Sequence, residues 1–421
     1  MTATADTKQA ARLDAAARIA AEIVATAVWK DDRCSWVGAM PEEGAGGQMK
    51  MTYRALTADL YGGTAGVGLF LAEMAQVTGD EDCRRTAGAA LRHAVSRSDD
   101  IPPGSRCGLY AGHTGIALAL ALAGHALDDL QVQQRAREIV AGALSPEPDG
   151  ELDLMAGSAG AIVGLLKLSG LLQDEAFVAA ATTHGDTLLN SARQTDTGLC
   201  WPSRTVPGEP GLTGFSHGAA GGAVALLELA HATGEAKYKS AADAAFAYER
   251  ALFDPGARNW PDLRSAAKSN ANGQATFATF WCHGAPGGAL ARLRALELHD
   301  DDEIRHEART ALATTAEWVE AGLASGVNYS LCHGLAGNAE ILLEGGSLLP
   351  RAAALNDRVA QSGIDTYLTK DVPWPSGAYG APTPGLFLGL AGIGRYYLRL
   401  ARPEVPSLLL VRPGPAFADK N

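Results

Sequence analysis

The sequence predicts an all-α fold: seven inner and seven outer helices closed into an (α/α)7 toroid. Three observations predict it. Glycine is abundant, at 49 of 421 residues, and G-x-x-G recurs from Gly63, Gly112, Gly157, Gly218, Gly284, Gly334 and Gly389, spaced by 49, 45, 61, 66, 50 and 55 residues. Each second glycine opens an apolar helical run, such as V-G-L-F-L-A-E-M-A after Gly66. A second, amphipathic segment then leads to the next glycine motif. Repeats of this size stack on their neighbours to bury a shared core, which overrules the two or three domains that length alone suggests.

The elements follow in order. Segment 10–29 carries charge on one face and supplies an outer helix ahead of the first motif. Segments 81–97, 129–144, 174–193, 236–252, 301–322 and 348–369 supply the other six outer helices. The glycine-led runs are apolar nearly all round, as an inner ring packed on both sides requires. Glycine at each inner helix start lets backbones crowd at one end of the ring. That end gathers seven helix N-termini, with free N–H groups and partial positive charge. Stretches 197–214 and 254–276 are Pro/Gly-rich and loop-like, and the Pro-rich tail 403–421 wraps or frays. Strand patterns are nearly absent. The expectation is one domain over 1–421, with its core at about 55–400.

Composition narrows the function classes. Lys plus Arg is 35 against 47 Asp plus Glu, a net charge of −12 with no basic block, so nucleic acid is not an expected partner. There is no signal-peptide core and no run of about 18 apolar residues. Six scattered cysteines do not form a secreted disulfide framework, and a reducing cytoplasm is the expected location.

Aligning the repeats on their first glycine exposes the candidate site. Two positions before it stand Tyr61, Tyr110, Met155, Ser216, Cys282, Cys332 and Phe387; one position before stand Gly62, Ala111, Ala156, His217, His283, His333 and Leu388. In a closed ring these positions converge on one mouth. Cys282, Cys332 and His333 then meet around a metal, and two thiolates with one imidazole suit Zn²⁺. Three protein ligands leave a fourth position open, as in catalytic zinc sites. His283 stays open between a fourth ligand, a donor to a ligand and an acid/base or positioning group, the last being favoured. His113 sits one place out of register and reads as structural. Tyr61, Tyr110, Trp281, Phe387 and Tyr396 are expected to line or pack the mouth. Cys34, Cys83, Cys107 and Cys200 read as ordinary buried thiols.

The motifs L212-T-G-F-S-H-G-A-A-G-G222, W281-C-H-G-A-P-G287, S330-L-C-H-G-L-A-G-N338 and L60-Y-G-G-T-A-G-V-G-L-F70 resemble those of the lanthionine synthetase C-like cyclases. Their wording is closest to cyclase domains fused to dehydratases or kinases, although this chain reads as a stand-alone cyclase. The resemblance implies a zinc-centred toroid that adds peptide cysteine thiols to dehydroalanine or dehydrobutyrine, giving (methyl)lanthionine thioethers. It implies zinc ligands Cys282, Cys332 and His333, and catalytic residues His217 and Asp153; His283 stands where stand-alone members often have tyrosine, and its catalytic reading as an acid/base or positioning group comes from the register alone. Asp153 would orient His217 or favour its charged form; its bland alternative is a helix cap. Where stand-alone members often carry an arginine, this chain has Ala278, so His283 or another loop must supply that role. Expected partners are a dehydrated precursor peptide and a dehydratase. Two rival readings remain: addition of glutathione or another small thiol to dehydrated residues, and a non-catalytic scaffold.

Overall fold

The computed structural model describes residues 5–43, 49–203, 211–264 and 275–414. Its described residues form fourteen α-helices. The seven glycine-led helices are α2 (Thr64–Thr78), α4 (His113–Leu127), α6 (Ser158–Leu172), α8 (Ala219–Thr233), α10 (Ala285–Leu298), α12 (Leu335–Glu344) and α14 (Leu390–Ala401). Each starts on the residue after its motif's first glycine. The alternating partners are α1 (Ala5–Ala25), α3 (Glu81–Ser96), α5 (Leu130–Val140), α7 (Ala176–Ser191), α9 (Ala236–Leu252), α11 (Asp302–Ser325) and α13 (Ala352–Gly363). Asp80, Asp129 and Asp301 cap α3, α5 and α11 by accepting backbone N–H bonds of the first turn.

The glycine-led helices pack in a circuit: α2 on α4, α4 on α6, and so on to α12 on α14, with α14 returning to α2. The outer helices pack on their inner partners, and α1 closes the set against α14. At the N-terminal end of the inner helices a belt of backbone hydrogen bonds runs through the aligned motif positions. Phe387 N–H donates to Tyr61, Tyr61 to Tyr110, Tyr110 to Met155, Met155 to Ser216, Ser216 to Cys282, Trp281 to Cys332, and Cys332 to Phe387, at 2.8–3.2 Å. The belt returns to its start, so residues 45 or more positions apart are held in one rim.

The second glycine of each motif makes that rim possible. A Cβ at Gly337 would lie 1.7 Å from the Leu331 carbonyl oxygen, and one at Gly115 would lie 1.9 Å from that of Leu109. The carbonyl six residues upstream occupies the same place in every repeat. This is a demand for close backbone approach rather than for unusual dihedral angles.

Three features depart from the sequence expectation. Short antiparallel hairpins occur: β1 (Val28–Lys30) with β2 (Arg33–Ser35), β3 (Val37–Glu43) with β4 (Met49–Ala55), and β5 (Arg193–Thr195) with β6 (Gly198–Cys200). Four of these six strands have three residues, too few to show a two-residue period. The first helix ends at Ala25 rather than 29, where β1 begins. The tail neither wraps nor frays as far as Gly414: Val405, Leu408, Leu409, Leu410 and Val411 are buried. Tyr110 Oη and Trp281 Nε1 donate to the Leu408 and Leu409 carbonyls, each at 2.9 Å. Arg395 donates to the Pro406 carbonyl and Lys167 to that of Gly414. These partners come from right round the ring, so the tail fills the bore. Residues 415–421 lie outside the described part.

The inner helices are less uniformly apolar than their sequences suggest. Arg395 of α14 pairs with Glu73 of α2 at 2.8 Å, and Arg294 of α10 with Glu228 of α8, all buried or nearly so. Each charge is neutralised across a helix–helix seam, as burial requires.

Candidate metal centre

Three neighbouring turns bring the chemistry together. Cys282 Sγ, Cys332 Sγ and one His333 ring nitrogen lie within 4.8 Å of one another. Cys282 Sγ is 3.5 Å from His333 Nε2. Zinc bond lengths of about 2.3 Å to sulfur and 2.0–2.1 Å to nitrogen put two tetrahedral ligands about 3.5 Å apart. The belt fixes both cysteines: the Cys282 carbonyl accepts from Phe215 and Ser216, while Cys332 bonds to Phe387 and Trp281. Both cysteines are buried.

The electrostatics of the pair fit a cation. A hydrogen bond from Cys332 holds the Cys282 thiol well below its ordinary pKa, and burial pushes Cys332 well above its own. Two buried thiolates this close together would need a positive ion between them. The donor set and its spacing therefore fit zinc. His283 is outside this cluster.

His283 is 2% exposed, and neither ring nitrogen has a hydrogen-bond partner among the described residues. Burial pushes its pKa down to about 4, against the opposing pull of Cys282. Its charged form is thus disfavoured, by burial above all. His217 behaves oppositely. Its Nδ1 is 2.6 Å from Asp153 Oδ2. Burial disfavours its charge, but the Asp153 carboxylate outweighs burial and raises the pKa above 6.5. Asp153 also accepts the Ala156 N–H at 2.7 Å through Oδ1. The turn-capping role and the His217-orienting role therefore coexist in one carboxylate. The His217 and His283 rings stack at 5.8 Å, linking the Asp153–His217 pair to the cysteine cluster.

An aromatic floor lies beneath the cluster. Tyr61 stacks on Phe387 at 4.9 Å, and Tyr110, Trp281 and Phe387 contact one another at 4.9–5.0 Å. Tyr396 is elsewhere: it bonds Asn356 of α13, away from the rim. His113 is buried and bonds the Ser98 carbonyl, a structural role. Burial pushes Cys34 and Cys83 up to about 12, and all four out-of-register cysteines are buried. Ala278 brings no charge to the site; its carbonyl is tied to Asn259 Nδ2 at 2.9 Å.

Two neighbours escaped the sequence reading. The Tyr61 hydroxyl lies near enough to Cys332 for the two to interact electrostatically. Arg264, from the loop before α10, exerts its positive field on Cys282, Cys332, His217 and His283. Tyr61 was visible as a register position without a role, whereas nothing in the Arg264 sequence context marked it.

No curated protein matches the chain at a significant level. Among solved structures the chain is similar to nisin cyclase, at 19% identity over 84% of this chain and 92% of that one, with a TM-score of 0.59. That likeness carries the α/α toroid fold. Weaker likenesses are to cellobiose 2-epimerase from Spirochaeta thermophila (13% identity, 96% and 98% covered, TM-score 0.48) and a family 76 glycoside hydrolase (mannosidase) from Bacteroides thetaiotaomicron (13%, 93% and 98%, 0.45). The model of the lanthionine synthetase C-like proteins matches residues 54–410, and with the toroid and its rim of Cys-His-Gly turns in place, the chain belongs to that family.

Proposed function

We propose that the protein is a zinc-dependent lanthipeptide cyclase, acting on dehydrated precursor peptides. The observation that carries this reading is the convergence of Cys282, Cys332 and His333 beside an Asp153–His217 pair, on one rim of a chain of this family. Zinc on those three ligands supplies, when bound, a cation that keeps an incoming peptide thiol deprotonated at neutral pH, where a free thiol of pKa about 8.5 is mostly protonated.

The chain's own groups do the rest. The buried cysteines and His333 face the rim, and the aromatic floor closes the bore behind them, so substrate enters from the helix N-terminal side. The peptide thiolate adds to the β-carbon of a dehydroalanine or dehydrobutyrine. The carbon–sulfur bond forms as the double-bond electron pair moves toward the carbonyl. His217, whose charged form Asp153 favours, delivers the proton that the α-carbon needs. Asp153 holds that imidazole in place through Nδ1, leaving Nε2 for transfer. His283, buried and stacked on His217, holds that ring in place. A dehydratase that prepares the substrate and a cytoplasmic location belong to the same proposal.

Cyclisation leaves the mass unchanged, so the test reads free thiols. A synthetic peptide carrying one dehydroalanine and one cysteine is incubated with the zinc-loaded protein, with and without glutathione, and then alkylated. The expected result is loss of the alkylatable thiol with no mass gain in either arm. Retention of the thiol contradicts the reading, and a glutathione-sized mass gain favours addition of a small thiol instead.

A further inference from the structure

The loop between α9 and α10 carries a cation that the mechanism above does not use. The Arg264 backbone N–H and Nε both donate to Asp262 Oδ1, at 3.1 and 2.9 Å, and Nη2 donates to Asp262 Oδ2 at 2.5 Å. Asp262 is itself buried, and its N–H donates to the Thr276 carbonyl at 2.9 Å. Pro261, just before it, accepts from Thr213 Oγ1 at 2.6 Å, four residues ahead of His217. The loop is thus bolted to the turn that carries His217. The Arg264 side chain stays 41% exposed, and Nη1 has no partner among the described residues. A guanidinium fixed by a buried carboxylate, with donors to spare, costs little reorganisation when it receives a developing anion.

We propose that Arg264 stabilises the oxyanion of the addition step, an assignment that rests on the cyclase reading. As the thiolate forms its bond to the β-carbon, the electron pair of the dehydro residue moves onto its carbonyl oxygen. Arg264 Nη1 donates to that oxygen. The charge is discharged when the α-carbon takes its proton from His217, and the carbonyl is restored. Asp262 is the positioning residue that aims the fork.

The test uses the full chain loaded with zinc, comparing wild type with Arg264→Ala and Arg264→Lys. Three quantities are measured: zinc per chain, steady-state cyclisation, and affinity for an inert peptide with alanine in place of dehydroalanine. Zinc content and inert-peptide affinity stay at wild-type levels in both variants. For Arg264→Ala, kcat falls roughly 10²-fold with KM little changed, the scale for one lost oxyanion donor. Arg264→Lys recovers part of the loss. An unchanged kcat in Arg264→Ala overturns the assignment, as does a loss of inert-peptide affinity that matches the loss of rate. A wild type that forms no thioether removes the cyclase reading and this assignment with it, whereas an active wild type matched by Arg264→Ala removes only the role of Arg264.

Discussion

His217 and His283 stand in the same register of adjacent repeats, yet their pKa values shift in opposite directions. The difference is the Asp153 carboxylate, 2.6 Å from one ring and absent from the other. His217→Asn removes the proton donor and is expected to lower kcat by about 10²–10⁴-fold, with zinc content unchanged; steady-state cyclisation beside metal analysis checks both. Asp153→Asn leaves the imidazole but removes the charge that raises its pKa. The protonated form is the donor, so activity falls as pH rises through the His217 pKa. The alkaline limb of the kcat profile should therefore move to lower pH in Asp153→Asn. Linkage gives the matching stability change. The folded pKa lies above the unfolded 6.5, so the pair's contribution is complete below 6.5 and fades as pH rises through the folded value. The clustering of Cys282, Cys332 and His333, with His217 on the next turn, was legible in the sequence because one repeat register exposed them together. The state of His283 was not, since it depends on burial. Arg264 was invisible because its partner lies two residues away in a loop and its targets come from other repeats.

At the scale of elements, the G-x-x-G word specifies both where an inner helix starts and how closely the preceding turn can fold over it. The starts of all seven inner helices were readable for that reason. The outer helices were readable as segments but not to their ends, because α13 passes into a wider turn at Ile364–Leu368 and α1 gives way to β1. The close approach makes a sharp prediction. Gly337→Ala places a methyl 1.7 Å from the Leu331 carbonyl oxygen, between the two halves of the Cys332 turn. Destabilisation of about 3 kcal/mol or more is expected, in the range reserved for core overpacking. Gly62→Ala is the control, since a Cβ there meets nothing within 4 Å, and it should shift stability by less than about 0.5 kcal/mol. Urea midpoints of the two variants distinguish these outcomes. Equal midpoints would show that the turn relaxes freely and that the motif has another purpose.

The whole molecule is a ring stopped at its centre by its own C-terminal segment. Nothing in the chain's pattern hinted at this, because a Pro-rich stretch with a few apolar residues looks the same whether it frays or threads a bore. Five buried apolar side chains from Val405 to Val411, at roughly 1.5–3 kcal/mol each, contribute an upper bound of about 7–15 kcal/mol. That is comparable with the whole stability of a typical domain. Deletion of residues 403–421 should therefore abolish cooperative thermal unfolding, which calorimetry detects directly. A truncated chain with a wild-type transition would mean that the bore is stable when open. The stacking of neighbouring repeats also explains the candidate metal site, because it brings Cys282 beside Cys332 and His333. Zinc X-ray absorption on the purified protein tests this most directly, in wild type and Cys332→Ala. The expected wild-type result is about one zinc per chain with two sulfur scatterers near 2.3 Å and a histidine nitrogen near 2.0–2.1 Å, and loss of most of the metal in the variant. A wild type that binds no zinc, or binds it without sulfur, would contradict the account.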